Sequence, residues 1–372
     1  MSDHLGYGKH DPMGRNSGNS RNRSRSKALV TDACDKVEID VPGPERVVRT
    51  VRTGDREERQ RWLGDLDEMV SSLYAKGSTG GEVPAHLMEV CGASVSKDVV
   101  TAITGRALNE MNQFWTRPLE AVCATILIDM TMGRVRGGQV GNQPSYAAIS
   151  VDSDGHKDIL GIWPGYGGGG SAKFWFAVLT DVENRGVEDA FFVVCDGLKC
   201  LPDSVDQVFP HAIVQTCVIH LIRDTFRCAS KKYWLEISQD LEPIHQPAGA
   251  ADAAAARDAL DEKWGGRYPA MIRSWRMAWT EFVPLLNYDV GIRKVLCSTN
   301  AIKSLNARSR RAVRARGDFP NEQAAMKVLC LTVRSLDPTD IGQTRWVTRW
   351  KPALTAFAIT FADHMPADEE QH

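Results

Sequence analysis

The sequence has no long hydrophobic run. No apolar stretch in its 372 residues approaches the roughly 18 needed for a bilayer-spanning helix. The polar N-terminus carries no signal-peptide core, so no membrane association and no export are expected. Nine cysteines, an odd number without a pairing rhythm, fit buried thiols in a reducing cytoplasm better than a disulfide framework. A formal net charge of −2 gives no argument for a nucleic-acid partner, which only local clusters can supply. The glycine-rich "WPGYGGGGSAKFW" (163–175) lacks the Gly-Lys-Ser/Thr ending of a phosphate-binding loop, so no nucleotide cofactor is expected. Cys217-x-x-His220 has half the spacing of a zinc site but no second pair at a comparable interval, and reads as a buried structural pair. No constellation supports a serine or cysteine nucleophile.

What is present is an ordinary globular composition, 43% hydrophobic and 25% charged, long enough for two or three domains. Residues 1–50 are polar and basic. Through about residue 30, with Arg15, Arg21, Arg23, Arg25 and Lys27, they read as a solvated flexible arm, or one lying along phosphates. Residues 51–118 read as a helical region, its charge-dense start (51–63) a helix or linker. "LYAKGSTGGEVPAHLMEVCGASVSKDVVTAITGRALNEM" follows as helix, helix, a turn at Gly92 and a third helix capped by Ser96, with Val99, Val100 and Ile103 at helical spacing. This is either a helix-turn-helix that carries Lys97 to DNA or a plain packing unit. Thr79 and Glu82 have capping-box spacing, yet Pro84 then falls inside the helix, at a cost of roughly 3 kcal/mol.

From residue 119 to about 240 the pattern is that of an α/β domain with a mixed sheet. "ATILID" (124–129) and "AFFVVCD" (190–196) read as buried strands, each ending in an aspartate. "AIVQTCVIH" (212–220) reads as a third strand, and "SYAAISVDSDGHKDILGIW" as two strands joined at Asp152 to Gly155. A helix with Phe174, Val178 and Val182 on one face ends near Gly186. Residues 241–285 read as a helical insertion whose stripe of Met271, Trp275, Trp279 and Phe282 forms its core. Residues 286–340 close the domain with a basic helix, and residues 341–372 form a C-terminal helix and an acidic tail.

The chemistry concentrates in Asp129, Asp196 and the basic helix. Two carboxylates at one sheet edge offer the hard oxygen ligands Mg²⁺ needs for phosphoryl transfer. Two strand-end aspartates that merely cap turns remain the alternative. From Lys303 to Arg316 the helix carries six positive charges and no acid. By period, Asn306, Arg310 and Arg314 share a face with Lys303, while Arg308, Arg311 and Arg316 spread around the others. Such a helix suits a phosphate backbone, or is simply solvated.

Taken together these residues resemble the Mutator-type (DDE) transposases of bacterial insertion sequences. The resemblance runs through "HLGYGKHDP", "NSRNRSRSK", "LYAKG", "GASVSKDVV", "RPLEAV", "ILID", "GRVRGGQVGNQPSY", "DILGIWPG", "AKFW", "VVCDGLKCLP", "QTCVIHLIRDTFR", "STNAIKSLNARSRRAVRARGDFPNEQAA" and "RSLDP". It implies a ribonuclease-H-like core with a helical insertion, preceded by a small helix-turn-helix-like DNA-binding region. It also implies a triad holding two Mg²⁺ or Mn²⁺ ions, cleavage at terminal inverted repeats, and joining of the freed 3′ ends to target DNA. A homo-oligomer in the bacterial cytoplasm, associated with the nucleoid, goes with it. Asp129 and Asp196 match the first two catalytic, metal-binding carboxylates, and Cys217 and His220 match a Cys-x-x-His signature. The third carboxylate belongs to a "TNAIES"-like motif that here reads "TNAIKS", so Lys303 stands at the catalytic position. The neighbours one turn away (Thr299, Asn300, Asn306, Ala307) offer no substitute acid. Met1 aligns inside a usually longer N-terminal region, the glutamate that usually precedes "AKFW" is absent, and Pro84 replaces serine-like residues. These departures suggest a truncated, degenerate copy. Two functions stay open, a working transposase and a catalytically silent DNA-binding remnant.

Overall fold

The computed structural model describes residues 25–31, 34–41, 66–92, 94–137, 139–165, 170–198, 200–298, 300–335 and 340–364. Two compact units divide the chain, Met1–Glu110 and Met111–His372.

In the first unit, strands β1 (Arg25–Thr31) and β2 (Cys34–Val41) pair antiparallel. The start of this hairpin lies within the segment expected to be a flexible arm. The alternation of Val37, Ile39 and Val41 with Glu38 and Asp40 is a strand pattern that the surrounding polar composition conceals. Residues 51–63 lie outside the described residues. Three helices follow, at 66–75, Glu82–Cys91 and Lys97–Trp115. Gly92 turns the chain at φ 65°, a left-handed conformation that glycine adopts without strain. Ser96 caps the third helix by accepting the Val99 N–H at 3.2 Å, and Val99, Val100 and Ile103 are buried, as their spacing requires.

Pro84 lies one residue past the first bonded turn of its helix. Thr79 and Glu82 form the reciprocal box, Glu82 Oε2 accepting from Thr79 N at 2.7 Å and Thr79 Oγ1 from Glu82 N at 3.2 Å. The helix is assigned from Glu82, but counted from the Thr79 cap, whose carbonyl already accepts the Val83 N–H at 3.1 Å, Pro84 is the fifth residue. The bond to the Gly80 carbonyl is the one its ring cannot make.

The second unit is a mixed sheet with helices. Strands β3 (Val122–Gly137), β4 (Gln139–Asp152), β5 (Lys157–Pro164), β6 (Asp189–Cys195) and β7 (Ile213–Thr216) lie in the order β5-β4-β3-β6-β7, and the short β8 (Asp318–Phe319) pairs with β3. The first three form an antiparallel meander, and β6 and β7 run parallel to β3. The β4–β5 turn falls at the expected residues, with Asp152 Oδ1 accepting from Asp154 N and His156 N. Helices Ala172–Asn184 and Leu201–Val208 bury Trp175, Val178, Leu179, Val182, Leu201 and Val205 against Ile126, Ile128 and Val193 of the sheet.

Two expected strand boundaries change. β3 does not stop at Asp129 but continues eight residues further, because β4 supplies partners through Gly137↔Gln139. The run 212–220 is not one strand. It is strand only to Thr216, and from Val218 it is the helix Val218–Cys228. A short apolar run does not distinguish the two, and the Val218, Leu221 and Thr225 spacing is that of one helical face. The insertion forms helices Trp234–His245, Ala250–Trp264 and Pro269–Phe282. Met271, Trp275 and Phe282 are buried, and half-buried Trp279 lies under the Arg257 guanidinium, 4.3 Å from the ring centroid. Helix Asn300–Arg316 follows, its Ile302, Leu305, Asn306, Ser309, Ala312 and Val313 buried at three- and four-residue spacing. Gly317, at φ 76°, ends it, its N–H reaching the Val313 carbonyl. The last long helix is Asp340–Thr360; the acidic tail, 365–372, lies outside the described residues. No helix among the described residues is long and apolar enough to cross a membrane. The seven cysteines whose side chains are described are all free.

Candidate functional site

Parallel pairing aligns three chain segments where the β3–β6 and β6–β7 ladders end. The β3–β6 ladder runs to Leu127↔Val194, so Asp129 and Asp196 each lie two residues past the last pair. The β6–β7 ladder runs to Cys195↔Thr216, and the Cys217 N–H extends it by donating to the Cys195 carbonyl at 2.7 Å. Cys217 then caps helix Val218–Cys228, and His220 lies in its first turn.

Asp129, Asp196 and His220 converge, their nearest ligand atoms all within 4.8 Å of one another. His220 Nε2 is 3.6 Å from Asp129 Oδ2, and its Nδ1 is 3.6 Å from Asp196 Oδ1. Asp129 and His220 are each only 3% exposed, whereas the Asp196 side chain is 36% exposed. The cluster therefore has a dry floor and one face open to solvent.

Its charges are only partly compensated. Asp129 Oδ1 accepts from the Met130 N–H at 2.6 Å. The Arg310 guanidinium lies 3.7 Å from the same oxygen, too far for a hydrogen bond, and donates instead to the Met130 carbonyl at 3.2 Å. Burial pushes the Asp196 carboxyl pKa up, and Asp129 and Asp224 add to that, against His220 and Arg223. Burial alone would lower the His220 pKa, but Cys217 and the two aspartates outweigh it and the net shift is upward. His220 Nδ1 is buried without a hydrogen-bond partner. Two carboxylates and an orphaned imidazole nitrogen in a desolvated recess are costly without a further cation. The residues present fit a divalent ion with two oxygen donors and one nitrogen. The imidazole makes the set more suitable for Mn²⁺ than an all-oxygen site would be.

Lys303 is half-buried on the adjoining basic helix. Burial lowers its pKa and Arg223 lowers it further, while Cys217 and Asp129 oppose the shift. The ammonium thus stands within electrostatic reach of the cluster. Among the described residues no third carboxylate joins Asp129 and Asp196 there.

The residues grouped by helical period as a phosphate-binding face separate in the structure. Asn306 is 2% exposed and faces the sheet, its Oδ1 accepting from Thr131 Oγ1 at 3.2 Å. Apolar neighbours at three- and four-residue spacing bury this side of the helix, so its amide is not on a solvent face. Arg310 is turned toward Asp129. Arg308, Arg311 and Arg314 are exposed, with Arg308 Nη1 also donating to the Ser335 carbonyl at 3.2 Å. Lys97 is exposed at the first position of its helix, in the other unit.

The Cys-x-x-His spacing reads as a structural pair and does not show that His220 faces Asp129 and Asp196. The signal for that is the helix start at Val218, which turns residue 220 back toward the ends of the parallel ladders. Arg310 was missed as a neighbour of Asp129, because helical period alone does not show which face meets the sheet.

The model of the family described as "Transposase, Mutator family" matches residues 1–339. The transposase for insertion sequence element ISRM3 of Rhizobium meliloti is 35% identical over 357 residues, covering 93% of this chain and 85% of that protein. A probable transposase for an insertion sequence element of Corynebacterium diphtheriae is 37% identical over 321 residues, covering 82% of this chain and 93% of its own. The transposase for insertion sequence element IS256 of Staphylococcus aureus is 24% identical over 277 residues, covering 73% of this chain and 70% of that protein. With the family match extending from the first residue through the basic helix, this chain belongs to the Mutator family of transposases.

Proposed function

We propose that the chain is an insertion-element transposase of ribonuclease-H-like architecture, built to bind terminal inverted repeats and to cut and join DNA strands. The observation that carries this is the convergence of Asp129, Asp196 and His220 where the parallel ladders of a sheet ordered β5-β4-β3-β6-β7 end. Three antiparallel strands followed by two parallel ones, with the first aspartate on the central strand and the second just after its parallel neighbour, supports that architecture.

In this reading Asp129, Asp196 and His220 hold a divalent ion, Mg²⁺ or Mn²⁺. When bound, the ion supplies Lewis-acid activation of an attacking oxygen and neutralises charge at the phosphoryl centre. The buried floor of Asp129 and His220 keeps water from one side. Arg308, Arg311 and Arg314 bind backbone phosphates, and helix Lys97–Trp115 reads the inverted repeat in a helix-turn-helix-like region. The protein works as a homo-oligomer in the bacterial cytoplasm, beside the nucleoid.

A second reading rests on Lys303. An ammonium within reach of Asp129 replaces the expected third carboxylate and repels a second ion, leaving a DNA-binding protein that does not cut. The nearest other acid acting on Asp196 is Asp224, one turn beyond His220 and already 3.1 Å from Arg227.

A strand-transfer assay with Mg²⁺ or Mn²⁺ on inverted-repeat DNA tests both readings. It compares the natural chain and Lys303→Glu, each with and without Asp196→Asn. Activity in the natural chain that Asp196→Asn abolishes would sink the silent reading. Activity that appears only with Lys303→Glu and vanishes in the double variant supports it. No inverted-repeat binding by any of the four would sink the function itself.

A further inference from the structure

We propose that the helical insertion carries a binding surface for single-stranded nucleic acid, centred on Trp234 and separate from the cluster and the basic helix. Where Ser230–Leu235 meets Lys263–Tyr268, aromatic rings and cations interleave. Tyr233, Trp264 and Tyr268 pack with centroids 5.4, 6.0 and 6.4 Å apart. Tyr268 Oη accepts from the Ser230 N–H at 3.3 Å, joining the two segments. Arg267 and Lys232 lie 4.7 and 5.3 Å from the Tyr233 centroid, and Lys231 lies 5.9 Å from that of Trp234.

Two features suit this surface to a ligand. The Trp234 ring is 38% exposed and its neighbour Leu235 76%. The indole is nonetheless fixed, its Nε1 donating to the Ala229 carbonyl at 3.1 Å and its ring 5.4 Å from Phe226. A held aromatic face in water has lost its ordering entropy before any partner arrives. In addition, exposed Lys231, Lys232 and Arg267 form no ion pair among the described residues, whereas nearby Lys263 is bound by Glu236 and Asp240. One unpaired cation, Lys231, beside the fixed indole and two more, Lys232 and Arg267, beside the adjoining Tyr233 ring match a phosphate chain with an unstacked base. A duplex hides its base faces, so the occupant is a single strand or a frayed end. The choice of DNA over RNA rests on the proposed function; the surface itself asks only for phosphates and bases.

The test is fluorescence anisotropy of a labelled 15-nucleotide oligo(dT) and of a labelled duplex, across a salt series, on the full chain. Trp234→Ala should weaken single-strand binding about tenfold or more, and Trp234→Phe less. Lys231→Ala with Lys232→Ala, two surface changes that spare the core, should flatten the single-strand log–log salt slope by about 1.4. Duplex affinity should stay unchanged in all three. Single-strand binding that is unaltered by these changes, or lost in parallel with duplex binding, would overturn the proposal. So would dissociation of an oligomer by Trp234→Ala in sedimentation, which would make the patch a contact between copies. Single-strand binding without any duplex binding by the natural chain would count against the proposed function and leave this surface standing.

Discussion

Arg310 Nη2 lies 3.7 Å from Asp129 Oδ1, on the carboxylate whose other oxygen faces His220. A residue of the basic helix is thus already engaged with the floor of the cluster before any ion or DNA is present. Two unit charges 4 Å apart interact by about 4 kcal/mol at an effective dielectric of 20, and the 37% exposure of the arginine side chain reduces this through screening. Arg310→Gln should therefore raise Mn²⁺ affinity about tenfold, measured by the loss of free-ion EPR signal on titration. A fall in affinity would mean instead that the guanidinium orients the carboxylate.

Lys303 bears on ion number. The natural chain should bind no more than one Mn²⁺ at the cluster, and Lys303→Glu should add a second, weaker ion through the new oxygen ligand. Isothermal titration of both chains, with Asp196→Asn as the control, reads the stoichiometry. A second ion in the natural chain would show that the ammonium is no obstacle.

The basic helix should contribute to DNA affinity unequally along its length. Arg311→Ala with Arg314→Ala should flatten the log–log salt dependence of duplex binding by about 1.8, two phosphate contacts at roughly 0.9 each. Arg310→Ala should change it much less, because that side chain points toward Asp129. Equal slopes in all variants would leave the outer arginines as solvated surface.

Lys97 lies on a different unit and should have a different signature. Lys97→Ala should narrow the ratio of affinities for inverted-repeat and random duplex while leaving the salt slope within about one unit. Equal losses on both DNAs would deny this helix a reading role.

At the start of the Glu82–Cys91 helix, Thr79→Ala should cost about 1 kcal/mol by removing half of the capping box. Pro84→Ala should instead stabilise the helix, by up to about 3 kcal/mol, because alanine supplies the N–H that the Gly80 carbonyl lacks. Urea titration of the variants separates the two, and a loss on replacing the proline would mean that its ring is needed for packing.

The start of the Glu82–Cys91 helix shows what the sequence makes legible. Thr79 and Glu82 announce the cap, and counting from Thr79 puts Pro84 one position past the first N–H bonded within the helix. Asp129 and Asp196 could be singled out because each follows a buried β-rich run. Their alignment depended on register, Leu127 opposite Val194, which one strand alone does not encode. Asn306 and Arg310 were assigned to the wrong surroundings for a related reason. A helix so rich in arginine gives its apolar side only a weak signal, and burial of Ile302, Leu305, Ala312 and Val313 decides which side docks.

The separation along the chain between Thr131 and Asn306, 175 positions joined by one buried hydrogen bond, sets when the basic helix can dock beside the cluster. Contacts of such long range close late, because a large loop must be ordered before they give anything back. On a ribosome, strands β3, β6 and β7 emerge well before the basic helix that packs beside the cluster. A nascent chain therefore carries Asp129, Asp196 and His220 without Lys303 or Arg310 beside them. A chain terminated upstream of the basic helix keeps all three residues of the cluster, and loses the Asn306 partner of Thr131 together with the two cations that stand against an ion there.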